Sequence, residues 1–167
     1  MVDDARFNPS EARNAEQLLV LLRDQIVTAA DLVGIVSTGP SGVATDLHSA
    51  ADPGRLNDAI RKISNGRPAP GGTDHSADSR RYAHVAFLTA TDVVKNLAKV
   101  EAASKHFVFV SSAETAATAL QAAVADQGGE LARDVAELAS AARIGNVTMR
   151  VVDAGDLASA NALRPLK

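Results

Sequence analysis

The chain has 167 residues, enough for one domain with a buried core. Apolar residues make up 46% of it but aromatics only 3%, so the core must be built from Ala, Val, Leu and Ile through many small contacts. A net charge of −3 with no basic block removes electrostatic support for nucleic-acid binding, and the lack of cysteine excludes disulfides, thiolate zinc sites and a Cys nucleophile. No apolar run approaches the ~20 residues of a membrane span, and no signal-peptide pattern is visible.

In chain order, Met1-Val2 is too short for a buried central strand, which usually needs about 5 residues. The first strand is therefore expected to be truncated, with residues upstream of Met1. If so, the chain is expected to be exported or periplasmic. Pro9 and Ser10 open a helix, with Ser10 as its cap and Leu18, Leu19, Leu22 and Ile26 at helical spacing. Leu32 to Ser37 is a continuous apolar strand, Gly39-Pro40-Ser41-Gly42 turns it, and Val43 to Leu47 returns as an alternating strand, which makes a β-hairpin. Asp52 caps a helix with Pro53 at its first position and Leu56, Ile60 and Ile63 on its apolar face, ending at Asn65-Gly66. Residues 66–79 form a long Gly/Pro/Ser/Asp loop, a length that is uncommon and often functional or disordered. A helix follows from Arg80 to Ser104, with Val85, Leu88, Val93, Leu97 and Val100 among its apolar positions.

Phe107 to Val110 is a fully apolar strand. Glu114 to Ala125 is a helix broken by Gly128-Gly129, and a second helical stretch runs from Glu130 to Ala142. Val147 to Val152 is the last strand, and Leu157 to Leu163 a short terminal helix. The order β-α-ββ-α-α-β-α-β, with near-continuous apolar strands, indicates an α/β domain whose sheet is covered by helices on both faces.

In open α/β sheets ligands bind outside the carboxyl ends of the strands. Asp3 and Asp4 stand where the first strand ends, and two adjacent carboxylates there suit a hard cation such as Mg²⁺. They equally suit a solvated loop or a helix cap. Thr73, in Gly71-Gly72-Thr73-Asp74, offers a hydroxyl to an oxygen-only site, and also fits a plain turn. Ser111 and Ser112 follow the apolar strand, as a strand-to-helix cap or as ligand-facing hydroxyls. Among the histidines, His48 and His106 read as strand-edge residues, His75 as a loop residue and His84 as a helix-surface residue. None has metal-ligand spacing, and no nucleophile elbow or phosphate loop is present.

The run Asp31 to Asp46, followed by Arg55 to Ile63, resembles the bacterial "VWFA-related" domains known from Acidobacteria, a branch of the von Willebrand factor A-like family. Arg81 to Phe87 with Asn96 to Val100 is similar to that family's long helix, and Asn146 to Asp153 with Leu157 to its closing strand. The resemblance covers nearly all of residues 1–167 as a single domain. It implies a three-layer αβα Rossmann-like von Willebrand A fold, with a mostly parallel sheet and one antiparallel edge strand. It also implies a metal-ion-dependent adhesion site at the carboxyl edge, where an Asp-x-Ser-x-Ser motif, a Thr and an Asp hold Mg²⁺ for a protein partner. Asp3 matches the leading Asp, but Ala5 and Phe7 stand in place of the two Ser. Registering on Asp4 instead gives Arg6 and Asn8. Thr73 matches the Thr, and Ser111 and Ser112 stand where a carboxylate is expected. Arg6 would also repel a cation.

The expectation is a non-enzymatic protein-interaction module of adhesion or scaffold type, with a weak or lost Mg²⁺ site drawn from Asp3, Asp4, Thr73 and Ser111. The alternatives are a receiver-like or flavodoxin-like signalling domain and a hydrolase with an unrecognised Ser nucleophile. The hairpin supplies neither the phospho-accepting Asp nor the late Lys that a receiver needs.

Overall fold

A computed structural model describes residues 1–65, 75–112, 115 and 129–155, with side chains from Ser79 onward in the second span. The elements are α1 (Pro9–Gln25), β1 (Leu32–Val33), β2 (His48–Ser49), α2 (Pro53–Ser64), α3 (His75–Ala98), β3 (His106–Ser111), α4 (Glu130–Ile144) and β4 (Thr148–Asp153). Helices and small sheets alternate, which makes this a mixed α/β chain. The helices expected at 114–125 and 157–163 lie outside the described residues, as does most of the 66–79 loop. Residues 75–79, expected in that loop, open α3 instead, so His75 is its first residue. Among the described residues no helix is long and apolar enough to cross a membrane.

The described residues fall into two compact units, one of residues 1–65, 110–112 and 152–155, the other of 75–109, 115 and 129–151. In the first unit α1 starts on a capping box rather than on Ser10. Asn8 is the cap. Its side chain accepts from the backbone N–H groups of Ser10 (2.9 Å) and Glu11 (3.0 Å), and Glu11 accepts from the Asn8 N–H (2.8 Å). Ser10 lies one position inside Pro9, where its hydroxyl donates to Asn8 Oδ1. This arrangement satisfies donors that a helix start otherwise leaves open. Helix α2 begins as expected on Asp52, and its buried face is Leu56, Ala59, Ile60 and Ile63. It packs on α1, where Arg23 Nη1 donates to Asn57 Oδ1 across the seam (2.6 Å).

The hairpin is present, with a longer and less regular pairing than its pattern predicts. Leu32 pairs with Ser49 and Val33 with His48, antiparallel, and Val36 bridges Ala44. Gly34 and Ile35 therefore stand opposite Thr45, Asp46 and Leu47, so the return arm carries one extra residue, a β-bulge. The Thr45 hydroxyl fills the gap by accepting from the Ile35 N–H (2.7 Å). Of the apolar arm only Ile35 is buried, while Leu32 is 57% exposed, so the continuous apolar run does not mark a strand buried along its whole length.

Val2, despite the shortness of its segment, is hydrogen-bonded on both sides. It bridges Ser37 and Val110, parallel in each case, and is fully buried. The Ala154 N–H donates to Ser111 O (2.8 Å). Hydrogen bonds thus link, in order, the return arm at 43–45, the 35–38 arm, the 1–3 segment, the end of β3 and the end of β4. The return arm alone runs antiparallel.

In the second unit α3 packs against α4. Helix α3 is shifted toward the N-terminus relative to the expected Arg80–Ser104. Its buried face is Ala83, Ala86, Phe87, Ala90 and Val94, whereas Val85 and Leu88, two of the apolar positions named from the sequence, are 44% and 42% exposed. Small alanines on the inner face let the helix axes approach closely, and the ring of Phe87 meets that of Phe109 edge-on (centroids 5.6 Å apart). The two helices come close at their C-termini, where a Cβ placed on Gly145 would lie 2.6 Å from Ala98 Cβ. Lys105 Nζ closes this corner by donating to Ala98 O (2.9 Å) and Gly145 O (3.4 Å), carbonyls at the ends of α3 and α4. The strands of this unit pair through the Thr148 N–H and Lys105 O (2.8 Å), parallel like their continuation.

Candidate functional site

The carboxyl ends of the strands in the first unit bring several polar side chains to one level. The parallel bridge of Val2 with Ser37 places Thr38 beside Asp3, and that with Val110 places Ser111 on the other side. The Ala154–Ser111 bond puts Asp153 level with Ser111. The row is Thr38, Asp3, Ser111, Asp153. Asp3, Ser111 and Ser112 are buried.

The two aspartates are tied to the hairpin. Asp3 Oδ1 accepts from the Thr38 hydroxyl (2.7 Å). Both Asp4 oxygens accept from backbone N–H groups of the turn, Oδ1 from Gly39 (2.8 Å) and Oδ2 from Ser41 (3.1 Å). A carboxylate bridging two amides across a turn substitutes for the backbone partners that the turn lacks. Gly39 makes this approach possible. A Cβ there would lie 2.4 Å from Ala5 N and 2.5 Å from Asp4 C, so only glycine fits without displacing backbone. Gly42, at φ 58°, takes the left-handed position of the same turn, where its N–H donates to Gly39 O (3.1 Å).

Of the four residues picked from the sequence, Asp3 and Ser111 are brought together on adjacent strands. Asp4 is turned to the hairpin, and Thr73 lies outside the described residues. Ala5 and Phe7, in the positions of the two motif serines, are buried apolar residues. Among the described residues Ser111 Oγ has no hydrogen-bond partner. Sequence reasoning missed Thr38 and Asp153. The signal was available, since each directly follows an expected strand, Leu32 to Ser37 and Val147 to Val152, at its carboxyl end.

The described members of this set, Asp3, Asp4 and Ser111, fit Mg²⁺ poorly. The cation needs an octahedron of oxygens with at least one or two uncommitted carboxylates. Both oxygens of Asp4 and one of Asp3 already accept hydrogen bonds from the hairpin. Among the described residues no group of three or more His, Asp or Glu side chains is placed to hold a metal ion.

The histidines are placed as follows. His48 lies in β2, with Nδ1 2.9 Å from Asp46 O, and His106 opens β3. His84 is half-buried rather than a plain surface residue, and its Nδ1 donates to Asp134 Oδ2 (2.6 Å). Comparison of the chain with protein-family models, with curated proteins and with solved structures finds no match.

Proposed function

We propose that this chain is a von Willebrand A-like protein-interaction module, a non-enzymatic adhesion or scaffold domain whose Mg²⁺ site is lost and whose partner-binding face is the carboxyl edge. The observation that carries the reading is the engagement of Asp3 and Asp4 by the hairpin turn. Carboxylates that serve a metal are held open toward it, whereas these hold together two stretches of backbone about 35 residues apart in sequence. The burial of Ala5 and Phe7 agrees, since side chains buried among apolar neighbours offer no ligand. The linked order of segments, with the return arm as an antiparallel edge and the 1–3 segment between two parallel neighbours, supports a Rossmann-like three-layer arrangement of the von Willebrand A type.

Titration calorimetry of the whole chain with Mg²⁺ and Mn²⁺ tests the metal half of this reading. No saturable heat is expected at micromolar affinity, and micromolar binding abolished by Asp3→Ala overturns it. The non-enzymatic half is tested by incubation with a fluorophosphonate probe and with a small phosphodonor. Neither is expected to label the protein. Labelling at a serine would establish a hydrolase, and phosphorylation at an aspartate a receiver.

A further inference from the structure

Helix α4 starts on Gly129, which has no side chain to accept from the N–H groups of the first turn. What meets the start of α4 from α3 is His84. Its Nδ1 lies 2.6 Å from Asp134 Oδ2, and its Nε2 lies 3.7 Å from Glu130 Oε1. Asp134 is buried, Glu130 is the first residue of the helix, and the two stand one turn apart on the same face. On α3 itself the charged residues one turn before His84 are Arg80 and Arg81, both exposed.

We propose that His84 is a proton-controlled clamp that holds the start of α4 onto α3. Each ring nitrogen faces a carboxylate, and only the imidazolium carries a proton on both. Neutral imidazole donates from one nitrogen and turns a lone pair toward the other carboxylate. The buried Asp134 then keeps the single N–H, and Glu130, exposed and at the longer distance, is released from the ring. The Asp134 hydrogen bond, followed by the charges of Asp134 and Glu130, holds the His84 pKa above its ordinary value against the opposing effect of burial. The clamp is therefore closed in acid and opens as the pH rises through the raised value of His84.

The test is amide hydrogen exchange of Arg133 to Glu137 in the whole chain, corrected for intrinsic pH effects, together with an NMR titration of the His84 ring. Protection of these amides is expected to fall on raising the pH, by about tenfold for each unit that His84 titrates above its unfolded value. In His84→Gln, which keeps a neutral donor, the pH dependence is expected to disappear. Wild-type protection that does not change with pH, or an equal pH dependence in His84→Gln, overturns the clamp. If His84→Gln does not fold, the wild-type titration decides: a His84 midpoint at or below the ordinary histidine value overturns the proposal, and a raised midpoint coincident with the loss of protection supports it.

Discussion

Asp4 and Gly39 form a tight device at the turn, because each requires the other. The carboxylate accepts two turn amides, and the glycine allows the backbone of residues 4–5 to come close enough for those bonds. Asp4→Ala leaves two half-buried donors without their acceptor, and urea unfolding is expected to show a loss of about 1–3 kcal/mol. Asp4→Asn keeps one acceptor oxygen and should lose roughly half as much. A loss for Asp4→Ala within surface-substitution scatter, about 0.5 kcal/mol, would mean that the carboxylate does not hold the turn. Gly39→Ala pushes a methyl into backbone rather than into a side chain that can rotate away. Its cost is expected to reach or exceed about 1–3 kcal/mol, as for overpacking at a rigid site. Thr38 is the partner a sequence reader overlooks: its hydroxyl meets Asp3 only because two parallel segments place them side by side.

At the scale of elements, α3 and α4 are joined by contacts of unequal weight. Lys95 and Glu137 form an exposed ion pair at 2.7 Å, which solvent and salt reduce to little. The C-terminal corner matters more. Gly145 lies against Ala98, and Lys105 donates to the last carbonyls of both helices. Lys105→Met keeps the apolar stem but removes the donor, and is expected to cost about 1–2 kcal/mol, measured as a shift of the urea midpoint at constant slope. No shift would show that solvent replaces the ammonium at this corner. Helix α1 makes the same point at its start, where the cap is Asn8 and not Ser10. Both residue types cap helices, and Asn8 wins because Glu11 stands three positions after it and completes the box. Helix α3 shows the limit of periodicity. Val85 and Leu88 have the right spacing for a core face, but Ala83, Ala86, Ala90 and Val94 offer a second, thinner stripe, and close packing selects the thinner one.

For the molecule as a whole, acid–base behaviour follows from His84. Its folded-state pKa is raised by the Asp134 hydrogen bond, so its stabilisation is fully present below the unfolded value of about 6.5 and is lost as pH rises through the raised folded value. Thermal unfolding is expected to show that decline in the wild type and a flatter profile over the same range in His84→Gln. Identical profiles would show that the pair does not contribute to global stability. The sequence by itself determined the elements that depend on neighbours along the chain: the helix on Asp52 and Pro53 with its Leu56, Ile60 and Ile63 face, the Gly39–Gly42 turn, and the strands at 106–111 and 148–153 to within a residue. Caps, turn glycines and hydrophobic spacing act over a few residues, so they are legible without the fold. Only the tertiary structure decided the bulge that carries the return arm to Ser49, the two-sided pairing of Val2, the exposure of Val85 and Leu88, and above all the use to which Asp3 and Asp4 are put. A carboxylate's role depends on which donors come within about 3 Å of it. For Asp3 and Asp4 those donors lie some 35 residues away along the chain, brought close by the hairpin's return to the first strand.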